Sequence, residues 1–168
     1  MENKKTNWGF WLSIIGVVLG VLAITMMFLP AMSTTIAKTN EEVGLYNTFQ
    51  LMFGKQEKGI TIIEFSFANC ISLLLIILGI VTAIFNLIKG QSAGAKFQLI
   101  ASIIAGLLFS VGGILSIFAV DFTIFAGGES VMWNILKNTM REAPILTCVI
   151  SCIAGICSVL PAVLKPNA

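Results

Sequence analysis

The residues able to do chemistry are few, and Glu64 stands apart from the other acids. It sits at the outer edge of a long apolar run that opens near Ile62. A carboxylate at the end of a membrane span could bind a cation or relay protons. Held among lipid headgroups, the same carboxylate is only a solvated surface charge, and no basic residue lies within a turn or two of it on the same segment. Asn69 and Asn86 are the most polar groups deeper in that run. An amide left unpaired in hydrocarbon costs on the order of several kcal/mol, so each needs a partner. They could tie helices together, or they could contact a solute crossing the membrane.

Other reactive groups point away from catalysis. Histidine is absent, which excludes imidazole catalysis and His-ligated metal within this chain. Cys70, Cys148, Cys152 and Cys157 all fall inside apolar runs. Cys148 and Cys152 lie on adjacent helical turns, but Cys157 projects opposite Cys148, so three thiolates cannot converge from one helix. Cysteine is also a small apolar packing residue. There is no H-E-x-x-H, no G-x-S-x-G, no phosphate-binding glycine loop and no intramembrane pair of aspartates. The expectation is a protein that is not an enzyme, with no catalytic residue, metal or cofactor.

The elements that carry these residues follow from composition. The chain has 168 residues, 57% hydrophobic and 11% charged, against about 25% charged in soluble domains. So little charge cannot coat a globule in water, and apolar runs of about 20 residues identify membrane spans. Net charge is +2 and dispersed, which gives no nucleic-acid surface. The pattern predicts one all-α membrane domain, a bundle of four transmembrane helices over residues 8–32, 62–88, 97–120 and 144–164. An inner loop covers 89–96, and larger outer loops cover 33–61 and 121–143.

Short interfacial helices are expected in both outer loops. Residues 43–54 load the first with Leu45, Tyr46, Phe49, Met52 and Phe53, bracketed by Gly44 and Gly54. A strand fits the alternation of Val43, Leu45, Phe49, Leu51 and Phe53, a pattern that Asn47 breaks, whereas a helix N-capped by Thr48 and closed at Gly54 fits Leu45, Phe49, Met52 and Phe53 on one face. The helix is the preferred reading. It either binds a partner or closes the outer end of the bundle as a lid. In the second loop, residues 130–142 read as an amphipathic surface helix with Trp133 beside its apolar face.

Small residues line one stripe of every span, among them Gly16 and Gly20, Gly79, Gly106 and Gly113, and Gly155. Helices in lipid associate through close backbone approach and interhelical hydrogen bonds of roughly 0.6–2 kcal/mol, not through the hydrophobic effect. These stripes therefore predict internal helix packing. Orientation follows from lysine density. Five basic residues fall on each side, but Lys4, Lys5, Lys89, Lys96 and Lys165 sit in short segments, free of acid apart from Glu2. That places both termini in the cytoplasm of a multi-pass cell-membrane protein.

Two resemblances add a class. Phe49-Gln50-Leu51-Met52-Phe53-Gly54 resembles a Phe-Gln-x-x-Phe-Gly outer-loop element of small uncharacterised four-span membrane proteins of Gram-positive-type bacteria. The loop plan is similar to the claudin and peripheral-myelin-protein superfamily, and Gly44-Leu45-Tyr46 resembles its Gly-Leu-Trp element. Tyr46 stands in for the tryptophan, and the paired loop cysteines are missing. The resemblance implies a four-span membrane fold and no known activity. The leading functional expectation is a non-enzymatic scaffold or accessory subunit that presents its outer loops to a membrane-protein partner or to a second copy. A small transporter or channel subunit using Glu64, Asn69 and Asn86 is the alternative, and a lipid-binding envelope protein is a third. Membrane lipids surround it in every case.

Overall fold

The computed structural model describes residues 8–126 and 136–164. Four of its helices are long and apolar enough to cross a membrane. They are α1 (Trp8–Met26), α3 (Phe67–Ala93), α4 (Ala95–Ile117) and α5 (Glu142–Val163). A short α2 (Thr48–Phe53) lies between α1 and α3. The remaining elements are strands: β1 (Pro30–Ile36), β2 (Glu42–Asn47), β3 (Lys55–Glu57), β4 (Ile60–Glu64), β5 (Ile124–Phe125) and β6 (Leu136–Met140).

The strands correct the all-α expectation. They form two antiparallel sheets of three, in the orders β2-β1-β6 and β3-β4-β5. Each sheet joins the loop after α1 to the loop after α4. β1 places Ser33 opposite Leu45 on one side and Thr139 on the other, while Ile63 in β4 faces Phe125 in β5. The ends of two expected spans are therefore strand. Residues 30–32 open β1, and Ile62 and Glu64 belong to β4. Hydropathy cannot separate these from helix, because a buried strand is as apolar as a membrane turn. What separates them is where the backbone finds partners. Pro30 has no N–H to continue α1, and β1 can pair on both edges. The expected surface helix over 130–142 is likewise replaced, where described, by β6 over 136–140 and by the start of α5. Trp133 and residues 130–135 of that helix lie outside the described residues.

Two turns are set by backbone conformation. Lys58 and Gly59 have φ of 50° and 80° and join β3 to β4, the two-residue geometry that matches strand twist. Gly94 has φ of 87° and alone separates α3 from α4. The expected eight-residue inner loop is thus mostly helix.

Helix α1 packs on α3 and α5, α5 packs on α4, and α4 packs on α3. Small residues set the spacing. A Cβ at Gly155 would lie 2.9 Å from Gly106 O, and one at Gly16 would lie 2.8 Å from Ser158 Oγ. Gly113 approaches Cys148 and Ser151 in the same way. Gly20 and Gly79 have a different task, since both face Phe109, which is fully buried. Two helices give up side chains so that a third can place a ring between them. Hydroxyls add ties: Ser72 donates to Gly112 O (2.7 Å) and Ser116 to Pro144 O (3.0 Å). Outward residues such as Val18, Leu74, Leu107 and Ile156 stay exposed, as a lipid-facing surface requires.

Candidate functional site

The strand cap is the candidate site, and its construction begins at α2. Asn47, not Thr48, is the N-cap: Gln50 N–H donates to Asn47 Oδ1 at 2.9 Å, and Asn47 N–H donates to Gln50 Oε1 at 3.0 Å. This reciprocal pair satisfies two free donors at the helix start. Thr48 is instead the first helical residue, buried, with its N–H donating to Met27 O. Gly54 ends the helix with φ of 87°, and its N–H donates to Gln50 O. Each local reading of residues 43–54 therefore holds for part of the segment only: the chain is strand to Asn47, which takes Leu45 out of the helix, and helix from Thr48, which takes Phe49, Leu51 and Phe53 out of the strand.

That succession divides the aromatic segment. Tyr46, Leu51 and Met52 are buried, and Phe49 is half-buried against the core. Leu45 and Phe53 face outward, with Val43 beside them on β2. Phe49 stacks between Phe28 (centroids 4.4 Å apart) and Phe53 (6.3 Å). Part of the segment closes the helix ends, and part is free surface. Tyr46 lies beneath Lys55, whose Nζ is 4.9 Å from the ring centroid. Burial, and secondarily the charge of Glu57, pushes the Tyr46 phenol above its ordinary pKa.

Asn69 is 2% exposed and ties three parts of the fold. Its Nδ2 donates to Leu51 O in α2 (3.1 Å) and to Ala119 O just past α4 (3.0 Å). Beside it Ser66 caps α3 and donates to Phe122 O at 2.7 Å. Asn86 donates to Ser102 Oγ at 2.9 Å, linking α3 to α4. The two amide nitrogens serve contacts between elements, the two Oδ1 atoms have no hydrogen-bond partner among the described residues, and neither side chain lines the cleft beside Glu64.

Glu64 lies on β4, outside the α3 helix, and is exposed. It borders a cleft of about 640 Å³ lined by Phe53, Gly54, Lys55, Gln56, Thr61, Ile63 and Phe65. Sequence reasoning noticed Glu64 and Phe53 separately and had no means to join them. The joining depends on the β3–β4 register. Arg141 was also missed as a structural residue. Its Nε donates to Ser33 Oγ (3.0 Å) and its guanidinium pairs with Glu42 (3.1 Å), pinning the start of α5 to β1 and β2.

A second, apolar groove of about 400 Å³ runs between α4 and α5 over Gly106 and Gly155. Among the described residues no three His, Cys, Asp or Glu side chains are grouped to hold a metal ion. Comparison of the chain with protein-family models, curated proteins and solved structures finds no match.

Proposed function

We propose that this protein is a non-enzymatic membrane scaffold, a four-helix bundle whose strand cap docks another membrane protein or a second copy of the chain. One observation carries the reading. β2 is an edge strand, paired on one side only among the described residues, and it exposes Val43 (53%) and Leu45 (47%). An edge with open backbone groups and apolar side chains is a template for strand addition or for an apolar partner surface. The edge is held in place by its pairing with β1, and Arg141 pairs with Glu42 at its start. The lysine distribution supports termini in the cytoplasm and the cap outside.

The transporter reading draws less support. Glu64 lies outside the spans, and Asn69 and Asn86 serve helix contacts. Photocrosslinking from Leu45 in native membranes tests the scaffold reading. Capture of one stoichiometric membrane-protein partner, or of a second copy, is expected. Val43→Lys in the probe-bearing protein should abolish capture, and a Leu45 probe that captures only lipid would overturn the proposal.

A further inference from the structure

The cleft bordered by Glu64 is a second, independent surface, with its own chemistry. Its polar lining comes from Lys55, Gln56, Thr61 and Glu64, and its rim from two phenylalanines, Phe53 (58% exposed) and Phe65 (55% exposed). The Glu64 carboxylate has no hydrogen-bond or ion-pair partner among the described residues. Lys55, the cation on the same hairpin, is engaged elsewhere: its Nζ is 3.8 Å from Glu57 and lies over the Tyr46 ring. Glu64 thus borders the cleft with no ion-pair partner of its own among the described residues, while the Lys55 ammonium that shares the lining is drawn toward Glu57 and Tyr46.

Shape comes from the backbone. Gly54 has φ of 87°, and a Cβ there would lie 2.7 Å from Ile63 O, so the chain turns tightly at the cleft floor. Phe65 stands two residues before α3, whose first residue Phe67 is 72% exposed. Exposed rings immediately ahead of a membrane-length helix sit at headgroup depth.

A cleft lined by an unpaired carboxylate and rimmed by exposed aromatic side chains is suited to one kind of ligand. An organic ammonium cation gains from the carboxylate and from the negative faces of the rings together. A metal ion would need several oxygen ligands from the protein, and the cleft offers one carboxylate. We infer that this cleft binds an organic ammonium group, either the headgroup of an amino- or choline-bearing phospholipid or a free quaternary amine.

Choline chloride titrated calorimetrically into the full-length protein in an uncharged detergent tests the inference. In a parallel arm, the protein is purified from nanodiscs containing phosphatidylcholine, phosphatidylethanolamine or phosphatidylglycerol, and retained lipid is identified by native mass spectrometry. Choline should bind saturably, and its uncharged isostere with a tert-butyl group should not. Alternatively, choline- or ethanolamine-headed lipid should be retained over phosphatidylglycerol. Saturable choline binding without lipid selectivity assigns the free cation; selective retention assigns the headgroup. Glu64→Gln should weaken binding by about five-fold, and Phe65→Leu, which keeps the apolar area and removes the ring, by about two- to thirty-fold. Phe53→Leu provides the same readout should Glu64→Gln fail to fold. Neither choline binding nor lipid selectivity, equal binding of the isostere, or variants matching the native chain would each overturn the inference. None of these outcomes depends on whether β2 docks a partner.

Discussion

Asn69→Asp separates a structural amide from one that meets a solute. The native Nδ2 donates to Leu51 O and Ala119 O at 3.1 and 3.0 Å from a site that is 2% exposed. Aspartate has nearly the same shape, but when ionised it offers no donor and turns an oxygen toward two carbonyl oxygens. Two buried hydrogen bonds are lost, each worth about 1 kcal/mol net. The larger effect is the uncompensated buried charge, for which broken buried pairs give about 3–5 kcal/mol. Ala119 O retains the Thr123 hydroxyl at 2.7 Å, so the orphaned carbonyl is chiefly Leu51's. A destabilisation of about 3–5 kcal/mol is expected for Asn69→Asp. Asn69→Leu loses the same bonds without adding charge, and it removes an amide oxygen that has no partner among the described residues. Its cost should be about 1–3 kcal/mol. Equilibrium unfolding in detergent gives the order, native above Leu above Asp. Hydrogen exchange should rise locally in α2 and over 118–122, the two segments the amide holds. Equal stability of all three proteins, or a loss confined to α3, would refute the tie.

Three further outcomes are expected. Gly155→Ala puts a Cβ 2.9 Å from the Gly106 carbonyl, and the unyielding backbone makes the cost about 1–3 kcal/mol; Ile156→Ala on the exposed face should cost less in the same unfolding assay. Tyr46 is the only tyrosine, so the tyrosinate absorbance of the folded protein titrates it alone, with a midpoint above the ordinary 10.0 that falls in Glu57→Gln. The unfolded phenol ionises first, so the folded state holds more protons and stability contributed by Tyr46 is lost as pH rises past about 10; Tyr46→Phe should remove that slope. Glu42→Gln should cost about 1 kcal/mol or less and respond to salt, because the Arg141–Glu42 pair is half exposed.

The membrane-length helices, their number and the small residues between them were legible in the sequence. Apolar length and a stripe repeating every 3.6 residues are local properties, and lipid enforces them segment by segment. The same stripes held less than they seemed to promise at Gly20 and Gly79, where the space accommodates Phe109 from a third helix. No single-helix pattern contains that ring. Residues 43–54 show the boundary most clearly. Val43, Leu45, Phe49, Leu51 and Phe53 alternate as in a strand, and Leu45, Phe49, Met52 and Phe53 share a helical face. Each signal was real, but choosing where one ends required Asn47 to find Gln50 and β2 to find β1.

The strands were invisible for a related reason. β1 is completed by β6, whose residues are 104 positions away at the Thr34–Asn138 hydrogen bond. Strand pairing is a property of two segments, so neither loop carries it alone. Glu64 was noticed for its charge, yet its type could not say whether it ended a helix or lined a cleft. Composition and periodicity determined that this chain has four helices able to cross a membrane. Tertiary pairing alone decided that the loops after α1 and α4 fold together, because hydrogen-bonded partners and facing side chains come from distant parts of the chain.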